Sequence, residues 1–288
     1  MIFLILYGKF KKRGEKMKLT NYPDKTSFFF NHDIKTEVIS EQLMERHYHD
    51  LFEIYYLESG SCNYFIDNKS YELVPGDIAI IPAGVIHNTL YKNSRYSRML
   101  INCSARFIPA AVMPLLKSIR YLYRNGEIAN DIYALLKQIE SEYQSKKELS
   151  DEILACYMHM LFFMLVRHEN LYDDTRIRNE YIENAVNFVQ KNYSSPFISL
   201  SQTAKSFSVS PEHFSREFKK ETGFGFCEYV NLLRLKRAEQ LLKQNMKLSV
   251  TEISEKCGFN DSNYFSVKFK KMYGVSPKKM QQKLKENR

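Results

Sequence analysis

Between Phe28 and Cys103 the apolar positions fall in short runs. Phe52 to Leu57, Cys62 to Ile66, Tyr71 to Val74, Ile78 to Ile81 and Tyr96 to Cys103 are rich in aromatic and β-branched residues, with Gly60, Asp67-Asn68 and Pro75-Gly76 between them. Runs of this kind bounded by turn formers predict strands, and many short strands at this spacing predict a barrel or sandwich. After Phe107 the period becomes helical. Ile132, Leu135, Leu136 and Ile139 share one helical face, and a second helix is predicted from Asp151 to His168. Inside it, Ile153 to Val166 is a 14-residue apolar stretch that contains His159. That is too short to cross a bilayer and predicts a buried or subunit-facing helix. Leu171 to Asn179 is polar and charged, which marks a linker, and from Tyr181 onward the pattern is helical.

The helical segment contains an internal repeat. Shifted by 51 residues, Phe214 to Gly223 falls on Phe265 to Gly274 with six identities in ten. Each copy follows a short amphipathic helix, Leu200 to Phe207 and Val250 to Lys256, and a tight turn. Ser210 with Pro211, and Asp261 with Ser262, supply an N-cap and a first-turn residue for the helix that comes next. Helix, short turn and capped helix make a helix-turn-helix, here present twice. Phe214 and Phe218, like Phe265 and Phe269, lie four apart and face inward, whereas Lys219, Lys220, Lys270 and Lys271 fall at the far ends of the helices, placed for phosphates. Between the copies, Phe226 to Gln244 predicts one helix about 28 Å long. That is close to one turn of B-DNA, about 34 Å, so one chain is able to present two reading helices to one face of a duplex. A helical bundle with lysines on a solvated face is the plainer alternative, and the repeat, its caps and its charge argue against it.

Charge sharpens this division. Of the net +9 carried by the 288 residues, Tyr181 to Arg288 has 19 basic and 10 acidic side chains, while residues 19 to 180 have 17 and 22. An acidic body joined to a basic C-terminal segment is the asymmetry expected when one domain meets a polyanion. The five cysteines, Cys62, Cys103, Cys156, Cys227 and Cys257, are scattered without zinc-finger spacing, which fits a reduced cytoplasm. Met1 to Tyr7 is apolar with its basic residues on the wrong side for a secretion signal. Translation from Met17 is the expectation here, since the codons for Arg13 to Glu15 can spell a ribosome-binding sequence.

With these residues in hand, the C-terminal hundred residues closely resemble the DNA-binding domain of AraC/XylS-type transcription regulators. The matching positions are Ile198 to Leu200, Ala204, Ser210 to Gly223, Tyr229, Arg234 with Leu235, Ala238, Leu241 with Leu242, Ile253, Gly258 with Phe259, and Phe265 to Pro277. The resemblance implies that solvent-facing residues of each second helix read bases: Glu212, Ser215 and Arg216 in the first copy, Ser262, Asn263 and Ser266 in the second. Arg216 suits a guanine and Asn263 an adenine. Two departures stand out. Val267 sits where the family often has a basic residue, and Met280-Gln281 replaces a Tyr-Arg pair, which implies altered packing at the end of the domain.

In the acidic body, His47, His49 and Glu53 are separated by even numbers, so on an extended strand they share a face with Leu51, Tyr55 and Leu57. A face mixing apolar and polar groups suits the inside of a barrel that holds a small ligand. Together with Gly60, Gly76, Pro82, Gly84 and His87 the spacing resembles the two cupin motifs, with Tyr91 where the second motif expects asparagine. The resemblance implies that His47, His49, Glu53 and His87 are able to bind Zn, Mn, Fe or Ni. AraC-type regulators commonly carry a cupin-like effector barrel in which these residues need no metal, so a metal-free effector pocket of His47, His49, Glu53, Tyr55 and His87 is preferred, with no cofactor and a divalent metal as the alternative. His32, His159, His168 and His213 have no partners at ligand spacing and are expected to pack or lie at the surface.

The expected fold class is therefore α+β multidomain: a cupin-like β-barrel over residues 17–107, a helical dimerisation segment over 108–172, and an all-α double helix-turn-helix domain over 180–288. The expected function is a cytoplasmic, sequence-specific regulator rather than an enzyme. It would work as a homodimer on double-stranded DNA, respond to a small-molecule effector such as a sugar, and engage RNA polymerase as an activator of nearby, carbohydrate-related genes. No membrane partner is expected. The rivals are a metal-dependent cupin isomerase or dioxygenase tethered to DNA and an architectural DNA binder without an effector.

Overall fold

The computed structural model of the chain describes residues 28–36, 42–43, 49–91, 95–114, 122–123, 126, 128–167, 180–244 and 247–286. The expected start at Met17, His47, His168 and the linker over 171–179 lie outside the described residues.

The strands are β1 (Phe28–Lys35), β2 (Gln42–Leu43), β3 (Phe52–Ser59), β4 (Cys62–Ile66), β5 (Lys69–Leu73), β6 (Ile78–Ile81), β7 (His87–Tyr91), β8 (Tyr96–Cys103) and β9 (Leu122–Tyr123). They form a five-stranded sheet in the order β1-β8-β3-β6-β9 and a four-stranded sheet in the order β2-β7-β4-β5. Strand β3 pairs antiparallel with both β6 and β8, and its two faces go to two different cores. Phe52, Ile54 and Tyr56 pack outward against helices, whereas Tyr55 and Leu57 point inward to Tyr64, Ile66, Leu73, Ile81, Tyr91 and Tyr96. Burial on both faces is why this strand reads as a nearly continuous apolar run. At the β3–β4 turn Gly60 has φ +88°, and a Cβ there would lie 2.3 Å from the Arg95 carbonyl oxygen, so the turn admits only glycine.

Helices α1 (Ala129–Ser145) and α2 (Ser150–Arg167) cover the five-stranded sheet. Ile132, Leu135, Leu136 and Ile139 of α1 and Leu154, Met158, Leu161, Phe162 and Leu165 of α2 are buried in one core with Phe52, Ile54 and Ile101. The opposite side of α2 leaves Ile153, Met160 and Phe163 exposed, at 37%, 45% and 47%. A polar clamp also ties α1 to the sheet. His32 of β1 lies 2.9 Å by Nδ1 from Glu140 and 3.0 Å by Nε2 from Glu58, whose other oxygen accepts from the Tyr133 hydroxyl at 2.8 Å. His32 thus has charged partners that its sequence spacing did not disclose.

The remaining helices are α3 (Glu180–Asn192), α4 (Leu200–Ser206), α5 (Pro211–Thr222), α6 (Phe226–Gln244), α7 (Val250–Lys256), α8 (Ser262–Tyr273) and α9 (Pro277–Glu286). Among the described residues, one compact unit comprises residues 28–191 and 199–229 and another comprises 192–198 and 230–286. In the first unit Phe214 and Phe218 of α5 are fully buried and make ring contacts with Phe207, Phe226 and Tyr229. The Ser210 hydroxyl accepts from the His213 amide at 3.2 Å, and Gly223, with φ +75°, closes the helix by donating to the Lys219 carbonyl at 2.8 Å. The second unit repeats this. Phe265 and Phe269 of α8 are buried with Leu235, Ala238, Leu242, Ile253 and Met280. Asp261 accepts from the Asn263 and Tyr264 amides at 2.7 and 3.3 Å, and the Gly274 amide donates to Lys270 at 2.9 Å. At the family's Tyr-Arg position, Met280 joins this core and Gln281 donates to the Leu248 carbonyl at 2.7 Å, so the chain closes the domain end by apolar packing and a neutral hydrogen bond.

Candidate nucleic-acid interface and effector pocket

The caps and phenylalanine pairs fix which face of α5 and of α8 meets solvent. On α5, burying Phe214 and Phe218 turns Glu212, Arg216, Lys219 and Lys220 outward, with Ser215 half-buried between them. Arg216 is 71% exposed by side chain, its Nη2 lies 3.1 Å from His213 Nδ1, and its Nε lies 3.7 Å from Glu217. These are weak surface restraints, so the guanidinium is free to reach a base edge. Lys220 donates to Glu217 at 3.2 Å, which neutralises part of its charge. On α8, Asn263, Lys270 and Lys271 are exposed and Ser262 and Ser266 half-buried. The same outer face carries Tyr264, 44% exposed, and Val267, 66% exposed, with Lys268 Nζ 5.1 Å from the centre of the Tyr264 ring. An exposed valine is able to meet a thymine methyl, a contact that hydrogen-bond reasoning alone overlooks.

Inside the barrel, Glu53 of β3 and His87 of β7 come together with His49, which lies just before β3. His49 Nε2 is 3.2 Å and His87 Nε2 is 3.6 Å from the same Glu53 oxygen, Oε2, and the two rings stand edge to face with centres 5.2 Å apart. The remaining Glu53 oxygen accepts a hydrogen bond from the Tyr64 hydroxyl. Burial works against an ionised Glu53, but the charges and hydrogen bonds of His87 and His49 outweigh it and hold the carboxyl well below its usual range. Burial likewise opposes a charged His87, and Glu53 overrides this and raises the ring's pKa.

Tyr55 is not bonded into that cluster. Its hydroxyl lies 2.6 Å from that of Tyr91 and 3.4 Å from Cys62 Sγ, and its ring stands edge-on to Tyr64 at 5.1 Å. Burial pushes the Cys62 thiol up to about 12. Beside Tyr55 lies Arg98, 4% exposed, with its guanidinium carbon 5.7, 5.9 and 6.0 Å from the ring centres of Tyr55, Tyr91 and Tyr96, and with Asp33 at 3.5 Å. Sequence reasoning missed Tyr64 and Arg98. Strand parity marks both, since Tyr64 lies two positions from Cys62 and from Ile66 on the inward face, and Arg98 two from Tyr96 and from Leu100.

Two family models match the chain, an AraC-like ligand binding domain over residues 37–161 and a helix-turn-helix domain over residues 203–283. The HTH-type transcriptional activator RhaR of Salmonella choleraesuis is 25% identical over 246 residues, which cover 82% of this chain and 86% of the relative. Among solved structures, an apo ToxT variant from Vibrio cholerae is 18% identical with a TM-score of 0.41, covering 91% of this chain and 99% of that one. The C-terminal domain of AraT, a response regulator from Geobacillus stearothermophilus, is 33% identical with a TM-score of 0.35, covering 36% of this chain and 84% of that one.

Proposed function

The chain belongs to the AraC-type transcription regulators, being matched over both a ligand-binding and a DNA-binding domain, and from that premise we propose how it reads DNA and what governs it. It is a DNA-binding regulator, not an enzyme. The observation that carries the reading is the repeated construction of α5 and α8. Each buries a phenylalanine pair, is capped at both ends, and leaves its early turns to solvent. Glu212, Ser215 and Arg216 on α5, and Ser262, Asn263 and Ser266 on α8, read base edges. Lys219, Lys220, Lys270 and Lys271 hold phosphates and set the register.

The barrel recognises a small polar effector through His49, Glu53 and His87 near its mouth and Tyr55 deeper in, with His47 on the same sequence face. This mixture of donors, acceptor and aromatic wall suits a hydroxylated molecule such as a sugar. The division into 17–107, 108–172 and 180–288 is retained as a proposal. The exposed stripe of Ile153, Met160 and Phe163 on α2 supports a homodimer, because a face that covers the sheet with one side and presents large apolar groups with the other suits a second copy. Activation of nearby genes through RNA polymerase is supported by the activator relatives. No helix among the described residues is long and apolar enough to cross a membrane, and a cytoplasmic site of action follows from the DNA target.

Selection of genomic fragments with the purified protein tests this reading. The result expected is a small set of fragments upstream of genes for uptake or breakdown of one compound class, and uniform recovery across the genome would overturn it.

A further inference from the structure

Resting on the reading that α5 and α8 meet base edges, we propose that Val267 reads the methyl group of a thymine, with Tyr264 as the wall beside it. A shift of 51 residues places Val267 on Arg216, and the two helices agree position by position in burial, Glu212 to Lys220 against Asn263 to Lys271. Arg216 stands two residues from each of Phe214 and Phe218, and Val267 stands two from each of Phe265 and Phe269. At about 100° of turn per residue, either side chain lies about 160° from both members of its buried pair. Each is therefore the outermost point of its helix. Ser262 and Ser266 are half-buried, since each lies within about 60° of Phe269 around the helix axis.

The outermost group of α5 is a forked cation, and that of α8 is a branched hydrocarbon. A guanidinium suits the acceptors of guanine, whereas valine makes no hydrogen bond and gains only from an apolar partner. The major groove offers one such group, the C5-methyl of thymine. Side chains on a helix lean toward its N-terminus, so Val267 covers the surface beside Asn263 and Tyr264, in the turns that a helix-turn-helix directs to bases. Tyr264 is held there. Its hydroxyl accepts from Asn231 Nδ2 at 3.3 Å, and Lys268 Nζ lies 5.1 Å from the centre of its ring. Lys270 and Lys271 are exposed on the same side, which gives this apolar spot a cationic border and makes nucleic acid its fitting partner. The repeat thus carries two chemistries, charge-assisted hydrogen bonding from α5 and methyl contact from α8, and the two parts of the DNA site differ accordingly.

Full-length protein is tested on a genomic duplex recovered by selection, with each thymine replaced in turn by deoxyuridine, which removes the methyl and nothing else. At least one replacement is expected to weaken wild-type binding about fourfold, the value of about one buried carbon. The loss should be the same at every salt concentration, because no phosphate contact changes. Val267→Ala should melt as wild type does, bind the thymine duplex more weakly by a similar factor, and no longer respond to that replacement, while Arg216→Ala still responds. A flat deoxyuridine scan overturns the inference, whether the apolar spot lies idle or faces a protein. A Val267→Ala protein that feels the replacement as the wild type does also overturns it, since the methyl is then read elsewhere. A scrambled duplex is measured in parallel. If the wild type prefers the selected site while the scan is flat, methyl reading fails and the regulator stands; if it prefers neither duplex, the regulator reading fails and this inference with it.

Discussion

The Ser70 hydroxyl donates to the Glu221 carbonyl at 2.7 Å, joining the β4–β5 hairpin of the barrel to the last turn of α5, the helix proposed to read the first half-site. Around it Asn68 donates to Asn187 at 2.8 Å, the Tyr229 hydroxyl donates to the Asp67 carbonyl at 3.1 Å, and Phe65 meets the rings of Phe224 and Tyr229. Gly223 completes the close approach, since a Cβ there would lie 2.0 Å from Asn88 Nδ2. Ser70→Ala removes one hydrogen bond worth about 0.5–1.5 kcal/mol. Hydrogen exchange at the Lys219 to Gly223 amides is expected to accelerate in this variant while α8 is unaffected. Unchanged protection at those amides would show that the hairpin does not support the helix.

Variants of Arg216 and of the lysines test the proposed separation of base reading from charge. Arg216→Ala is expected to cost about 1–3 kcal/mol on the preferred site and to relax specificity at one base pair. Lys219→Ala or Lys270→Ala should weaken all duplexes alike and reduce the salt slope by about one. Because Lys220 already pairs with Glu217, its removal should cost less than that of Lys219. Equal losses on specific and random DNA for Arg216→Ala would refute the assignment.

The helices after Glu180 were legible because their signals are local. Ser210, Pro211, Gly223, Asp261 and Gly274 announce helix ends by their own backbone preferences, and α6 and α7 have the bounds that periodicity predicts. The barrel was partly legible. β3, β4, β5, β6 and β8 were marked by apolar runs, but β7, with polar His87, Asn88 and Thr89, is buried by pairing with β4 and not by its composition. The meeting of His49, Glu53 and His87 followed from motif spacing. Tyr64 and Arg98 depend on strand register, and the partners of His32 on the docking of α1, which no local pattern encodes.

Helix α2 presents two faces with different jobs. Leu161 is fully buried against the sheet, so Leu161→Glu is expected to give insoluble or unfolded protein and does not report on association. Phe163→Glu alters the exposed stripe and should give a folded monomer by sedimentation, with weaker DNA binding as effective concentration is lost. A Phe163→Glu protein that sediments as wild type would remove this face from the dimer.

The His32 clamp predicts acid sensitivity. Burial opposes ionisation of Glu58 and Glu140, but bonds from Ser97, Tyr133 and His32 to Glu58, and from Lys137 and His32 to Glu140, lower both below the ordinary value of 4.5. A carboxylate lowered by folding contributes stability that is complete above its unfolded value and is lost as pH falls through its folded one. Melting temperature should therefore drop as pH falls below about 4.5, and Glu140→Gln should flatten part of that drop. An acid profile identical to wild type would exclude Glu140 from the clamp.

Discrimination between DNA sequences separates a regulator from a general DNA binder. Its most direct test is the ratio of dissociation constants for a genomic site recovered by selection and for a scrambled duplex of equal length, measured at about 150 mM salt. A ratio of about 10³ or more is expected, as for specific DNA-binding proteins generally. A ratio near one, with both affinities falling together as salt rises, would reduce the basic segment to a nonspecific polyanion binder.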